Sequence, residues 1–589
     1  MDKRWRVAPE VSREMTQRFP EVHPIALRLL VNRGISTQDA VDEFLEPDYE
    51  DLHDPFLFRN MEAACERVWN AIHDGEKVVI HGDYDADGIT GSTVLMTTFR
   101  DAAKRLGKDP ALLTSYLPHR EKDGYGVRPE NVERLAKDGA TLMITVDCGI
   151  SCEPEITLAK KCGMDTIVVD HHQIPAKIPD CIILHPLVEG ETYPFKKLAA
   201  VGVSFKFACG FITYCARKGS SYEVGYEKWL MDLVAIATVT DVMPLIGENR
   251  TLERYGLVVL NKTRRIGLRK LIEAAGLEFG SMDTTSVGFS IGPRINAASR
   301  MEHAELAFKC LMAETEEDAT EYAKRLDQAN RDRQKYTEEI MAVAKRVVAL
   351  QGERKIHCII GEGWSAGIVG LVAGRIANER GRPVFVFGRE GERIVGSGRS
   401  IPEFDVVKAM DSAKDYIARY GGHPQACGLT IMGEENYAAF CRAVEGYADE
   451  ILADVDLRPA IDIDAELAMS QVTWDLIDWI AKLEPYGEGN PRPKFLLRGL
   501  DVSAVDIIGK NKNTVRIAAR GDLPREGKFI GFNFVSKVEG ICPGMTVVAV
   551  VELGINAWNG NKEIQLKLVD VRAAETERVE VKRLKGVKV

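Results

Sequence analysis

The chain has 589 residues, 45% of them hydrophobic and 28% charged, a balance that excludes a disordered or fibrous protein and supports several folded domains. No apolar run approaches the roughly 18 residues of a membrane span, and the charged stretch Met1–Arg6 lacks the apolar core of a secretory signal, so a soluble protein of the cytoplasm, without membrane contact, is expected. The net charge of −11 argues against nucleic-acid binding only until it is divided: residues 491–589 carry 18 Lys+Arg against 11 Asp+Glu, a balance of +7 that leaves −18 for residues 1–490.

Residues 1–55 read as an N-terminal segment. From 56 to 301, short apolar runs (Val78-Val79-Ile80, Leu142 to Val146, Thr166 to Val169) alternate with helical stretches, the grammar of a parallel α/β sheet. Each run ends on an acidic or histidine cluster, which predicts a site at the carboxyl ends of the strands. Residues 302–350 contain neither Gly nor Pro, and Tyr322, Leu326, Ile340, Val343 and Val347 recur at helical spacing, predicting long amphipathic helices that connect two lobes. Residues 351–461 form a second α/β lobe, with runs at Lys355 to Ile360 and Pro383 to Phe387 and a glycine-rich loop, Gly396-Ser397-Gly398-Arg399-Ser400. Residues 462–589 open on a helix and continue as short β-rich segments, including Thr514 to Ala518 and Met545 to Val551, which fit a small β-barrel. The 12 Cys form no CxxC pair and no zinc-type spacing, so scattered reduced thiols are expected.

Chemistry concentrates in the first lobe. In His81-Gly82-Asp83-Tyr84-Asp85-Ala86-Asp87-Gly88 residues two apart in an extended turn point the same way, which aims Asp85 and Asp87 at one point with His81 behind them. Three carboxylates in five residues repel one another without a cation. A calcium-binding EF-hand loop is excluded, because a strand precedes the motif and its twelfth position, counted from Asp83, is Val94 where Glu is required. Three further motifs follow: Asp147-Cys148-Gly149 and Asp170-His171-His172, each at the end of a β-like run, and Ala237-Thr238-Val239-Thr240-Asp241, on a small-residue segment after Asp232.

This ordered set resembles the DHH phosphoesterases, and within them the RecJ-type branch. The resemblance continues through Gly292-Pro293-Arg294-Ile295-Asn296-Ala297-Ala298-Ser299-Arg300-Met301, similar to the family's phosphate-contacting segment, and Gly421-Gly422-His423, similar to the motif of the associated DHHA1 lobe. Asn556-Ala557-Trp558-Asn559-Gly560 resembles part of the family's oligonucleotide-binding (OB-fold) barrel. It implies an α/β protein with two lobes (DHH and DHHA1) joined by long helices and followed by a C-terminal OB-fold barrel.

Carried residue by residue, the resemblance implies two divalent ions, Mn²⁺ or Mg²⁺, one held by His81, Asp85 and Asp147 and the other by Asp87, Asp147, His171 and Asp241. The activity implied is 5′-to-3′ hydrolysis of single-stranded DNA to mononucleotides, in recombination and repair. His172 donates to a phosphate oxygen, while Arg294, Asn296, Ser299, Arg300, Gly422 and His423 contact substrate and Ser397 and Arg399 cradle a terminal phosphate. A monomer working with single-stranded DNA, a single-strand-binding protein and a helicase is the matching biology. One departure stands out: Trp364 is followed by Ser365 where the family usually has His, which removes one phosphate donor. Two other readings compete: a phosphodiesterase of short oligonucleotides or cyclic dinucleotides, which needs no barrel, and a non-catalytic single-strand-binding relative, which needs no intact ligand set.

Overall fold

The computed structural model describes residues 3–509, 511–524, 526–558, 561–576 and 579–581; side chains at 557, 558, 576 and 581 are not among those described. The chain divides into two units, one of Met1–Glu50, Pro244–Arg250 and Arg458–Val589, the other of Asp51–Met243 and Thr251–Leu457.

The larger unit holds both α/β lobes. In the first, strands β1 (Lys77–Gly82), β2 (Leu113–Tyr116), β3 (Ala140–Val146), β4 (Asp165–Val169) and β5 (Ile182–Leu184) make a parallel sheet in the order β2-β1-β3-β4-β5. The apolar runs are continuous because helices cover both faces of a parallel sheet. Helices α1 (Ala86–Arg105) and α2 (Ala200–Arg217) pack on the sheet and α3 (Met231–Thr240) packs on both of them; their buried residues include Ile89, Val201, Phe207 and Leu233. Crossover connections place the ends of β1, β3 and β4 side by side, as expected for the motif-bearing turns.

The connecting region contains one helix of 36 residues, α5 (Glu316–Gln351), preceded by α4 (Gly292–Met301) and a short helix at Glu305–Leu311. Thr315 caps α5 by accepting from Asp318 N. Its buried stripe uses smaller residues than expected: Ala319, Ala323, Leu326, Ile340, Met341, Ala344 and Val348 are buried, whereas Tyr322 and Val347 are half-buried and Val343 is exposed. One end of the stripe packs on first-lobe helices and the other on α6 (Ala366–Arg380) of the second lobe.

The second lobe is a mixed sheet, β9 (Arg419–His423), β10 (Ala426–Met432), β8 (Arg393–Arg399), β7 (Val384–Glu390), β6 (His357–Glu362) in spatial order. Here one expectation is corrected. Gly396-Ser397-Gly398-Arg399 is not a phosphate-cradling loop but strand β8, paired along its length with β7 and β10, so its backbone N–H groups are spent in the sheet. Its glycines make room for aromatic neighbours: a Cβ at Gly396 would lie 2.2 Å from the Phe387 ring, and one at Gly398 2.6 Å from Phe385.

In the smaller unit, strands Phe495–Ile508, Thr514–Arg520, Gly527–Gly531, Asn561–Ala573 and Thr546–Trp558 pair in that order, and the last closes back on the first. Closure into a five-stranded barrel removes free sheet edges. Phe529 and Phe534 are core and Phe532 is exposed. Trp558 ends its strand, but its side chain and Asn559-Gly560 lie outside the described residues. Of the N-terminal residues, expected as a segment of their own (1–55), residues 1–50 belong to this unit and 51–55 to the larger one. Arg4–Val7 pairs in parallel with Ala460–Ile463 and Val579–Val581, and Ala26, Leu27 and Leu30 share the barrel's core with Phe495, Leu497 and Val515.

Candidate metal and phosphate site

Four turns converge at the carboxyl edge of the first-lobe sheet. After β1, Asp83 N donates to Val146 O (3.0 Å) and Asp85 caps α1, accepting from Asp87 N (3.0 Å) and Gly88 N (3.2 Å). Gly88 is needed here, since a Cβ would sit 2.5 Å from Asp83 N. Asp87 accepts from Ala200 N (2.7 Å) and Val201 N (2.8 Å), placing an anion at the positive end of α2. After β3, Asp147 takes a left-handed backbone, φ 62°, a conformation that Asp and Asn tolerate better than most residues. After β4, Asp170 accepts from Ile150 N (3.1 Å) and His172 Nδ1 (2.8 Å), so it orients the imidazole next to it. Asp241 is the C-terminal cap of α3.

His171 Nε2 lies 3.3 Å from Asp147 Oδ1, 3.5 Å from Asp241 Oδ2 and 3.7 Å from Asp87 Oδ2. Three sets of candidate ligand atoms form: Asp87, His171 and Asp241; Asp147, His171 and His172; and Asp83, Asp85 and Asp147. The second and third sets share Asp147. His81 is fully buried beneath them, its Nδ1 3.9 Å from Cys148 Sγ and its Nε2 without a hydrogen-bond partner, as are Asp83 Oδ1 and Asp147 Oδ1. Buried polar atoms are normally satisfied, so the orphaned carboxylate oxygens of Asp83 and Asp147 fit a cation-binding cluster, while His81 lies outside the three sets. The oxygen-rich donor set with imidazole and no thiolate suits Mn²⁺ or Mg²⁺.

The electrostatics agree. Burial, and then the neighbouring carboxylates, raise Asp83, Asp147 and Asp241 well above the ordinary carboxylate range, and burial with Asp85 lifts Asp87 to about 7. His171 is pulled down to about 4 by burial and by His172, leaving a neutral ring able to ligate a cation. Burial also opposes charge on His172, but Asp170, by hydrogen bond and charge, outweighs it together with Asp241 and Asp83 and holds the ring up at about 9. Two adjacent histidines are thus driven to opposite states.

The second lobe supplies His423, whose ring lies parallel to that of His172 at 6.3 Å. Gly422, at φ 145°, lets the β9–β10 turn close, because a Cβ would meet Ala426 O at 2.4 Å. Asn296 Oδ1 accepts from Ala86 N (2.8 Å) and so positions the motif turn. Ser299 Oγ donates to Asn296 O (3.2 Å) and accepts from Arg120 (3.4 Å). Arg300 is half-buried, donates to Gly367 O, and has its guanidinium pKa lowered by loss of solvent and by Arg120 and Arg333, with Asp85 opposing. Arg399 donates to Ser397 Oγ (2.6 Å), and its pKa is lowered by burial and, more weakly, by Arg120. Arg120, Arg300 and Arg399 therefore concentrate positive charge beside the acidic cluster. Arg294 is placed differently: it pairs with Asp327 of α5 (2.9 Å) and donates to Ser290 O (2.8 Å). Ser365 caps α6 and donates to Glu121 (2.9 Å), a tie between the lobes where the family pattern carries His.

Asp83, Asp170, Arg120 and Tyr125 were missed as site residues by the sequence reading. Asp83 and Asp170 lie inside the motifs and were legible as carboxylates. Tyr125, which donates to Asp147 O (3.1 Å) and lies 3.1 Å from His172 Nδ1, carries no motif signal, nor does Arg120.

Comparison with known proteins places this geometry. Residues 77–238 match the family model described as DHH family, N-terminal domain; residues 351–450 match the DHHA1 domain and residues 463–570 the RecJ OB domain. The chain is 35% identical over 578 residues to the single-stranded-DNA-specific exonuclease RecJ of Bacillus subtilis, covering 97% of this chain and 71% of that one. Crystal structures of Thermus thermophilus RecJ are similar: the Mn²⁺ complex at TM-score 0.81 and 29% identity, over 98% of this chain and 80% of that chain, and the Mg²⁺ complex at 0.75 and 28%, over 98% and 79%.

Proposed function

Because the chain belongs to the RecJ family of single-stranded-DNA-specific exonucleases, we propose that it removes mononucleotides from the 5′ end of single-stranded DNA by phosphodiester hydrolysis with two divalent ions. The observation that carries this reading is the ligand cluster around Asp147, intact in every motif and facing His172, His423 and a set of arginines. His81, Asp83, Asp85, Asp87, Asp147, His171 and Asp241 are the residues that would hold Mn²⁺ or Mg²⁺. The bound cations supply Lewis acidity, which favours loss of a proton from water and offsets charge on the phosphate.

The chain's own groups do the remaining work. His172, protonated at neutral pH and fixed by Asp170, donates a hydrogen bond to a phosphate oxygen as charge builds there, and His423 lies parallel to it. Arg120, Arg300 and Arg399 attract the terminal phosphate, the electrostatic requirement for starting at a 5′ end. Asn296 and Gly88 position the turn that carries Asp83 and Asp85. The basic C-terminal barrel is a second module able to track a strand through backbone charge and stacking. The same reading places the protein in the cytoplasm as a monomer, acting in recombination and repair on strands opened by a helicase and covered by a single-strand-binding protein. Among the described residues no helix is long and apolar enough to cross a membrane.

The test is release of label from 5′- and 3′-labelled single-stranded DNA with Mn²⁺ or Mg²⁺, comparing the chain with Asp147→Ala. Loss of the 5′ label as mononucleotide, abolished by the substitution, is expected. Hydrolysis of dinucleotides with long DNA left intact would favour the small-substrate phosphodiesterase, and binding without cleavage the non-catalytic reading.

A further inference from the structure

A helical run from Thr284 to Met301 begins with a single helical turn and a π-turn, Val287–Ile291, before α4. Gly288 and Gly292 press this run onto the helix that carries Asp241: a Cβ at Gly292 would lie 2.0 Å from Thr240 Cγ2, and one at Gly288 3.4 Å from Val239 Cγ1. Phe289, Pro293, Asn296 and Arg300 follow at spacings of four, three and four, which puts them on one face. The inner end of that stripe is already at the site, since Asn296 holds Ala86 N and Arg300 feels the charge of Asp85. The outer end is Phe289, 79% exposed.

An exposed phenyl ring on the face that leads to a phosphate site has no packing role, whereas π-turns recur at functional sites because the extra residue re-aims a side chain. Phe289 lies seven residues from Asn296, about 10 Å along the run at 1.5 Å per residue, or roughly three stacked nucleotides at 3.4 Å each. We propose that Phe289 is a stacking platform for a base of the strand behind the terminal nucleotide, a positioning contact that every base satisfies through its π-face. The proposal rests on the exonuclease reading above. It assigns to this ring the retention of a long strand between successive cuts.

The test measures kcat/KM with Mn²⁺ on a long 5′-phosphorylated oligothymidylate and on the dinucleotide pdTpdT. Phe289→Ala is expected to lower the ratio of the long-strand value to the dinucleotide value by about 5- to 150-fold, the range for losing one base–aromatic contact. Phe289→Tyr should restore the ratio. Abasic sugars at the third to fifth positions of the long strand should impair the wild type as Phe289→Ala does and add little to that variant. An unchanged ratio in Phe289→Ala, or an abasic penalty as large in the variant as in the wild type, overturns the proposal. A wild-type chain that cuts pdTpdT but leaves the long strand intact overturns the exonuclease reading, and the stacking contact with it.

Discussion

Asp147→Asn should reverse the usual relation between a site residue and stability. In the metal-free protein this carboxylate is buried, one oxygen has no hydrogen bond, and Asp87, Asp85, Asp241 and Asp83 all oppose its charge. Asn keeps the size, tolerates the backbone at φ 62°, and removes the charge. Each pH unit by which a buried carboxyl must be ionised against its environment costs about 1.4 kcal/mol, so relief of about 1–3 kcal/mol at pH 8 is expected. For a unit of several hundred residues that raises Tm on the order of 2 °C. Mn²⁺ at 1,000 times its Kd adds about 4.1 kcal/mol to the wild type, on the order of 4 °C, and the variant loses most of this gain with its activity. The order of melting should therefore invert: variant above wild type in EDTA, below it in Mn²⁺, read by scanning fluorimetry at pH 8. A variant that melts below the wild type in EDTA, or gains as much from Mn²⁺, refutes the argument that repulsion is stored for cations.

The same cluster sets the pH dependence of the metal-free protein. A carboxyl held above its unfolded value stabilises the fold fully below that value and loses the contribution as pH rises through the folded one, at about 7 for Asp87, so Tm in EDTA should fall between about pH 4 and pH 7 and level off above, while Tm in Mn²⁺ falls less. Equal slopes in the two series would exclude proton–metal competition. Asp170→Asn removes the partner that holds His172 at about 9, so the alkaline limb of the kcat/KM profile should move toward the ordinary histidine range. At pH 8 only about 3% of an imidazole of pKa 6.5 is protonated, giving roughly a 30-fold loss that shrinks at pH 6. A pH-independent loss would mean that Asp170 only supports the turn. Gly396→Ala drives a methyl into the Phe387 ring and should cost about 1–3 kcal/mol in a urea melt, with metal binding by the first lobe retained.

The sequence alone determined most of the first lobe's elements and the acidic and histidine motifs that end its strands. Continuous apolar runs of strand length, each closed by a turn rich in Asp, His and Gly, encode a parallel sheet with its chemistry at one edge, because strand formation, helix capping by Asp85 and the turn at Gly88 are local events. Tertiary structure decided which partners those side chains meet. Gly396 to Arg399 reads as a loop by composition, but its neighbours on both sides are strands, and glycine there serves the packing of Phe385 and Phe387. Arg294 has the motif of a phosphate contact and the contacts of an ion pair, since Asp327, 33 residues away on α5, reaches it. Tyr125 and Arg120 enter the site from a segment with no motif, and Arg4–Val7 joins a sheet whose partners begin at Ala460 and Val579. In each case the deciding contact is distant in the chain, and no local propensity encodes a partner that only folding brings near.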